Sequence, residues 1–145
     1  MFDPMDVAVE EARLGLAEGG IPIGSILIHD GEVLGRGHNR RVQQGSVILH
    51  AEMDALQNAG RLAGEMYRQS ELYTTLSPCD MCSGAILLYG IPAVFVGENR
   101  SFRGPEAYLA ERGVHIEVLD RIDCVDLMVD FMATHPDLWN EDIGE

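Results

Sequence analysis

A chain of 145 residues, 46% hydrophobic and 23% charged, has the length and composition of one globular domain with a sizeable core. Its ten basic residues are all arginine and face 24 acidic ones, so the formal charge is −14, a field that would repel a polyanion such as tRNA or DNA. No apolar run approaches the ~18 residues of a membrane span, and the acidic opening Met1-Phe2-Asp3-Pro4 lacks the basic and apolar regions of a signal peptide. Three cysteines, an odd number without a disulfide framework, fit a reducing compartment, so a cytoplasmic location is expected.

Residues 3–18 read as a helix. Met5, Ala8, Val9, Ala12 and Leu16 recur near a 3.6 period, Asp3-Pro4 starts it and Gly19-Gly20 ends it. Ile23–His29 and Val33–Gly37 read as two strands joined at Asp30-Gly31, a strong hairpin signal. His38-Asn39-Arg40-Arg41 leaves the sheet as a polar loop, and His50–Ala59 reads as a helix closed by Gly60. A short strand, Glu71–Thr75, leads through Ser77-Pro78 into a helix over Cys79–Tyr89.

Pro92–Gly97 reads as a fourth strand, Pro105–Glu111 as a helix and Val114–Leu119 as a fifth strand. The last helix spans Ile122–Ala133, with Val125, Leu127, Met128, Phe131 and Met132 on a core-facing stripe that Val129 broadens. Pro136 stops it, and an acidic tail follows. A hairpin followed by strand–helix alternation predicts an α/β fold: a five-stranded mixed sheet between helical layers, its last three strands parallel. No repeat or linker interrupts residues 1–145, which read as a single domain.

The chemistry concentrates between His50 and Cys82. His50, Cys79 and Cys82 supply one imidazole and two thiols, a donor set that suits zinc. Three donors fall one short of a closed structural site, and a catalytic zinc keeps that fourth place for water. Glu52, two residues beyond His50, could handle protons there. An i, i+2 pair does not share a regular helix face, so both can serve one metal only if His50 sits where the helix begins. Cys79 and Cys82, three apart, share a face in a first turn, where free N–H groups favour thiolate. Taken alone, Cys-x-x-Cys has three readings: structural zinc, redox pair or catalytic zinc. A structural site needs a fourth ligand, for which Cys124, His38, His115 or a partner chain are the candidates. Cys124 sits among apolar residues and reads as core; His29, His115 and His135 read as surface.

His-x-Glu followed by Pro-Cys-x-x-Cys is a signature known from zinc nucleobase deaminases. The chain resembles the zinc-dependent cytidine and deoxycytidylate deaminase superfamily, and more narrowly the free-base cytosine deaminases of yeast type. The resemblance runs along Glu18–Gly24, Leu34–Asn39, Leu72–Cys82, Tyr89–Pro92, Val96–Asn99 and the particular acidic tail Trp139–Glu145. It implies an α/β/α sandwich, one Zn2+ per chain held by His50, Cys79 and Cys82, and Glu52 as proton shuttle. It further implies that Asn39 binds the pyrimidine O2 and N1–H edge and that the Ala51 N–H adds a bond at O2. The Ser77 carbonyl and Asp142 carboxylate would take the exocyclic amine, and Phe102 and Trp139 would cover the base and open for release. Position 51 departs from the yeast-type pattern, with Ala for Gly; the N–H is kept. The expected activity is hydrolysis of cytosine to uracil and ammonia by a homodimer, without nucleic acid or membrane as partner. Two rivals stay open: a deaminase of another base, such as guanine or a modified pyrimidine, and a non-enzymatic zinc-binding domain with a closed site.

Overall fold

The computed structural model describes residues 2–145. Helix α1 (Pro4–Ala17) begins where the Asp3 carboxylate accepts the Met5 N–H at 3.0 Å and Pro4 occupies the first position. Strands β1 (Gly24–His29) and β2 (Glu32–His38) form the hairpin, whose turn residues Asp30 and Gly31 take φ of 47° and 77°. Two left-handed residues give the turn the twist of its flanking strands. Then follow α2 (Arg41–Gln44), α3 (Ala51–Ala59), α4 (Gly64–Arg68), β3 (Glu71–Leu76), α5 (Asp80–Tyr89), β4 (Ala93–Glu98), α6 (Glu106–Glu111), β5 (His115–Val118), α7 (Ile122–Thr134) and α8 (Pro136–Asp142).

The five strands form one mixed sheet in the order β2-β1-β3-β4-β5. Strand β1 runs antiparallel to β2 and β3, whereas β3, β4 and β5 are parallel, as their helical crossovers require. Period-two alternation sorts side chains between two faces. Ile26 and Ile28 pack with Met5, Ala8 and Val9 of α1 and with Cys124 of α7. Leu27, Leu72, Val94 and Val96 face the other way, against Ile86 of α5, Leu109 of α6 and Leu56 of α3. Helices thus cover both faces, giving the three layers of an α/β/α sandwich.

A third cluster closes one end of the sandwich. Ile21, Ile23, Ala51 and Leu76 meet Met128 and Phe131 of α7 and Trp139 of α8 there. This end lies beyond the carboxyl ends of the parallel strands, where sheets of this kind build their ligand sites. Helix α3 reaches it by lying directly on β2. A Cβ at Gly35 would stand 2.4 Å from the Ala55 carbonyl oxygen, and one at Gly37 2.5 Å from the Ala55 nitrogen. Only glycine permits that approach.

Most element edges shift by one residue from the sequence reading. His50 and Cys79 cap their helices rather than lie in them, β1 starts at Gly24 and β2 runs on to His38. Three helices were not expected. Those at Arg41–Gln44 and Gly64–Arg68 span 4 and 5 residues, too short to show a period. Pro136 does end α7, but it also stands at the first position of α8, where a missing N–H costs nothing. The supposed tail is therefore a helix docked on the core. Among the described residues, no helix is long and apolar enough to cross a membrane.

Candidate active site

Two helix starts meet at the closed end of the sandwich. His50 caps α3 with φ −64° and ψ 163°, and Cys79 caps α5 with φ −72° and ψ 179°. Each lends its carbonyl to the first helical bond, from Asp54 N–H at 2.9 Å and Ser83 N–H at 2.8 Å. Neither side chain caps its own helix, so the donor atoms stay free. Because His50 is still extended, its ring can point to the spot that Glu52 faces from the first turn of α3. That resolves the i, i+2 difficulty.

The His50 Nδ1 lies 3.3 Å from Cys79 Sγ and 3.8 Å from Cys82 Sγ, and the three donor atoms lie within 4.8 Å of one another. A tetrahedral zinc with ordinary Zn–S and Zn–N lengths separates such donors by about 3.6 Å. The trio therefore fits one zinc ion. The three other candidate ligands of this chain, Cys124, His38 and His115, lie elsewhere, as does the surface residue His135. Cys124 is 1% exposed in the α1–α7 cluster, His38 is bonded to Glu11 and Glu18, and His115 and His135 are exposed.

The donors hold protons unequally. A hydrogen bond from Cys82, with His50 nearby, lowers the Cys79 thiol to about 4, despite burial. Cys82 is raised by its Cys79 neighbour and by burial. Burial opposes charge on His50, but Cys79, Asp142 and Glu52 outweigh it and hold the imidazole near 9. Burial lifts Glu52 to about 7, with the Cys79 charge adding to it. A metal ion takes these ligands as thiolates and neutral imidazole, releasing their remaining protons.

Beside the donors lies a cavity of about 20 Å³ walled by Ile23, Leu76, Phe102, Trp139 and Ile143, with Ala51, Glu52, Ser77 and Asp142 also on its surface. It adjoins an outer cavity of about 670 Å³ that shares His50, Cys79, Phe102, Asp142 and Ile143. The Phe102 and Trp139 rings meet edge to face, centroids 6.1 Å apart at 83°. Asn39 is wholly buried and stands behind this cavity rather than on its wall. Its Nδ2 donates to Asp142 Oδ1 at 2.8 Å and its Oδ1 accepts the Arg41 N–H at 3.1 Å. The same Asp142 oxygen lies 3.4 Å from His50 Nε2. Burial raises Asp142, while His50 and Asn39 pull it back.

The sequence reading overlooked Arg41 and Glu106. The Arg41 side chain, 8% exposed, lies 3.7 Å from both Glu141 and Asp142. Glu106 is buried and accepts the Ser77 hydroxyl at 2.6 Å. Neither carries a local signal, since each partner lies far off in the sequence.

The family model for the cytidine and deoxycytidylate deaminase zinc-binding region matches residues 3–98. Among curated proteins, the cytosine deaminase of Candida albicans is 54% identical over 142 residues, 97% of this chain and 95% of that protein. A tRNA-specific adenosine deaminase of Streptococcus pyogenes is 38% identical over 137 residues, 88% of this chain and 86% of that protein. A solved structure from studies of A-to-I editing by tRNA:A34 deaminases superposes with a TM-score of 0.69 at 27% identity, covering 86% of this chain and 97% of that one. The matched region carries all three donors and Glu52, and the likeness to the Candida albicans protein takes in 97% of the chain. On that ground the chain belongs to the cytidine and deoxycytidylate deaminase family, a family of zinc-dependent deaminases.

Proposed function

We propose that this protein deaminates free cytosine to uracil and ammonia. The observation that carries the reading is a buried carboxylate, Glu52, beside a His–Cys–Cys donor set in a small, apolar-walled cavity. The relative at 54% identity, a cytosine deaminase, supports it. His50, Cys79 and Cys82 would hold one zinc ion, which when bound acidifies water toward a pKa of ~7 and so supplies a nucleophile at neutral pH.

Glu52 carries the protons. Near 7, its carboxylate can both accept and release one at neutral pH. It takes a proton from the attacking water and gives it to ring N3, which makes C4 a better electrophile. After addition at C4, Glu52 takes the proton of the new C4 hydroxyl and gives it to the exocyclic amine; the C4–N bond breaks, the C4 carbonyl forms and ammonia leaves. Water and cytosine are consumed, and the carboxylate returns to its starting state.

The remaining residues hold the base. The Ala51 N–H, at the first position of α3, has no helical acceptor and would bond O2. The Ser77 carbonyl and Asp142 carboxylate would take the amine, and Phe102 and Trp139 would stack on the ring. Asn39 would read O2 and N1–H after a small shift from its bond to Asp142. Recognition of N1–H excludes a nucleoside, because a sugar removes that hydrogen and leaves a buried group unpaired.

A charge of −14 without lysine supports a small neutral substrate over tRNA. Residues 1–145 act as a single domain in this reading, in the cytoplasm. Ile48 and Tyr89, which line one surface cavity and are exposed together with their chain neighbours Val47 and Leu88, support a homodimer that covers them. Ammonia release from cytosine, cytidine, guanine, adenine and a tRNA substrate, before and after zinc removal, tests the activity. Zinc-dependent turnover of cytosine with little of cytidine is expected. Preference for guanine, a nucleoside or tRNA would overturn it.

A further inference from the structure

Glu106 opens α6, outside both cavities, yet its side chain is only 7% exposed. A buried carboxylate is costly unless its oxygens are bonded. Here Oε2 accepts the Ser77 hydroxyl at 2.6 Å and Oε1 accepts the Asn99 amide at 3.1 Å, with Arg103 Nε at 3.7 Å. The Ser77 Oγ in turn accepts the Gly104 N–H at 3.0 Å. At the near end of the same loop, Glu98 Oε2 accepts the Arg100 and Ser101 N–H groups at 2.7 and 2.9 Å. Gly104 presses so closely on the turn before α5 that a Cβ there would stand 1.8 Å from the Pro78 carbonyl oxygen.

The pinned loop has Phe102 at its centre, and that ring reaches the cavity and the edge of Trp139. The turn it is pinned to is Ser77-Pro78-Cys79. With its hydroxyl both donating and accepting, Ser77 meets the cavity with its carbonyl uncommitted, since no backbone donor among the described residues reaches it.

We propose that Glu106 is a positioning residue for the base: it ties the Asn99–Gly104 loop to the Ser77–Cys79 turn, and so fixes the Phe102 ring and the Ser77 carbonyl relative to one another. This rests on the cytosine reading for its substrate, but not for its geometry. One aromatic wall and one hydrogen-bond acceptor come from the loops that follow β4 and β3; the sheet joins them at their near end, where the Ser77 N–H donates to the Glu98 carbonyl at 3.1 Å, and side-chain bonds hold the rest of the loop. The carboxylate between them sets their spacing, through charge-assisted bonds stronger than neutral ones.

The test compares Glu106→Ala and Glu106→Gln with the parent, all loaded with zinc and checked for one ion per chain. Trp139 is the sole tryptophan, so its emission reports the Phe102 contact directly. Glu106→Ala should shift that emission to the red and raise KM for cytosine about tenfold, with a smaller change in kcat. Glu106→Gln keeps one acceptor but turns an N–H toward Asn99 or Ser77, so its KM should rise about threefold. A merely structural role would lower the melting temperature and leave KM and emission as in the parent, which overturns the proposal. If Glu106→Ala does not fold, Glu106→Gln decides alone: a KM equal to the parent's overturns the proposal. Should the parent itself fail to turn over cytosine, the activity reading falls, and Trp139 emission in the two variants decides this one.

Discussion

Asn39 and Asp142 lie 103 residues apart in sequence and 2.8 Å apart in space, the amide of one donating to the carboxylate of the other. That bond joins the end of β2 to the end of α8. The same oxygen stands 3.4 Å from His50 Nε2, on the far side of the ring from the two sulfurs. Carboxylates in that place fix the tautomer and angle of a metal-binding imidazole. Asp142→Ala should weaken zinc affinity by about 10–100-fold. Competition with a zinc indicator would measure it. Asn39→Ala should leave zinc binding within about threefold of the parent and raise KM for cytosine about a hundredfold, as loss of a buried polar match does. Equal zinc affinity in Asp142→Ala would remove its role at His50.

Glu52 offers a cleaner separation of structure from chemistry. Glu52→Gln keeps the shape and loses the ability to move protons. It should retain one zinc per chain and a normal melting curve, yet lose about 10²–10⁴ in kcat. Zinc content by atomic emission, read beside steady-state ammonia release, checks both halves. Turnover within tenfold of the parent would remove Glu52 from the reaction.

A second buried charge cluster predicts a stability profile. His38 is 2% exposed, and its Nδ1 and Nε2 each lie 2.8 Å from a carboxylate oxygen, of Glu11 and Glu18. Arg36 and Arg40 flank the cluster, and Asp54 of α3 accepts the His38 N–H at 3.0 Å and the Arg40 Nε at 2.9 Å. The Glu11 bond raises His38 above its ordinary 6.5, against the pull of burial. Its contribution to stability is fully present below 6.5 and fades as pH rises through the raised value. Glu11, which burial lifts but His38 and Arg36 more than offset, and Glu18, bonded by His38, are both lowered from 4.5. Their contribution is present above 4.5 and fades as pH falls through the lowered values. The melting-temperature gap between the parent and His38→Gln should therefore be widest between pH 4.5 and 6.5 and narrow on both sides. A gap independent of pH would show the cluster to be uncharged.

Gly37 tests how the sheet places α3. Its alanine variant would put a methyl 2.5 Å from the Ala55 nitrogen, which is backbone and cannot swing aside. About 1–3 kcal/mol of stability should be lost, as in other overpacked cores. His50 and Glu52 ride on the same helix, so kcat should fall too. Urea unfolding alongside the ammonia assay measures both. A fully active, fully stable Gly37→Ala protein would show that α3 has slack.

The metal donors were legible because their spacing is local: a short His-x-Glu, and a Cys-x-x-Cys at a helix start. The sheet was legible because Asp30-Gly31 and the alternating strands carry their own signals. What could not be read is contact between distant segments. Asp142 looks like part of an acidic tail until α8 docks it against Asn39. Ser77 is named by the resemblance for its carbonyl, and nothing local shows that its hydroxyl is engaged by Glu106 and Gly104. Asn39 shows how the two kinds of knowledge differ: the family resemblance names it, and only the fold reveals its bond to Asp142. Helices α2 and α4 were invisible for a different reason, being shorter than the window a period needs.

His50 lies 29 residues before Cys79 and 32 before Cys82, and between His50 and Cys79 run two helices, a strand and the turns that join them. An ion bound by all three closes that span into a ring. The unfolded chain, so fastened, has fewer shapes to explore, while the native chain loses nothing. Metal binding by this trio would thus favour the ordered state of the span it closes, and removing the ion would loosen the stretch from His50 to Cys82.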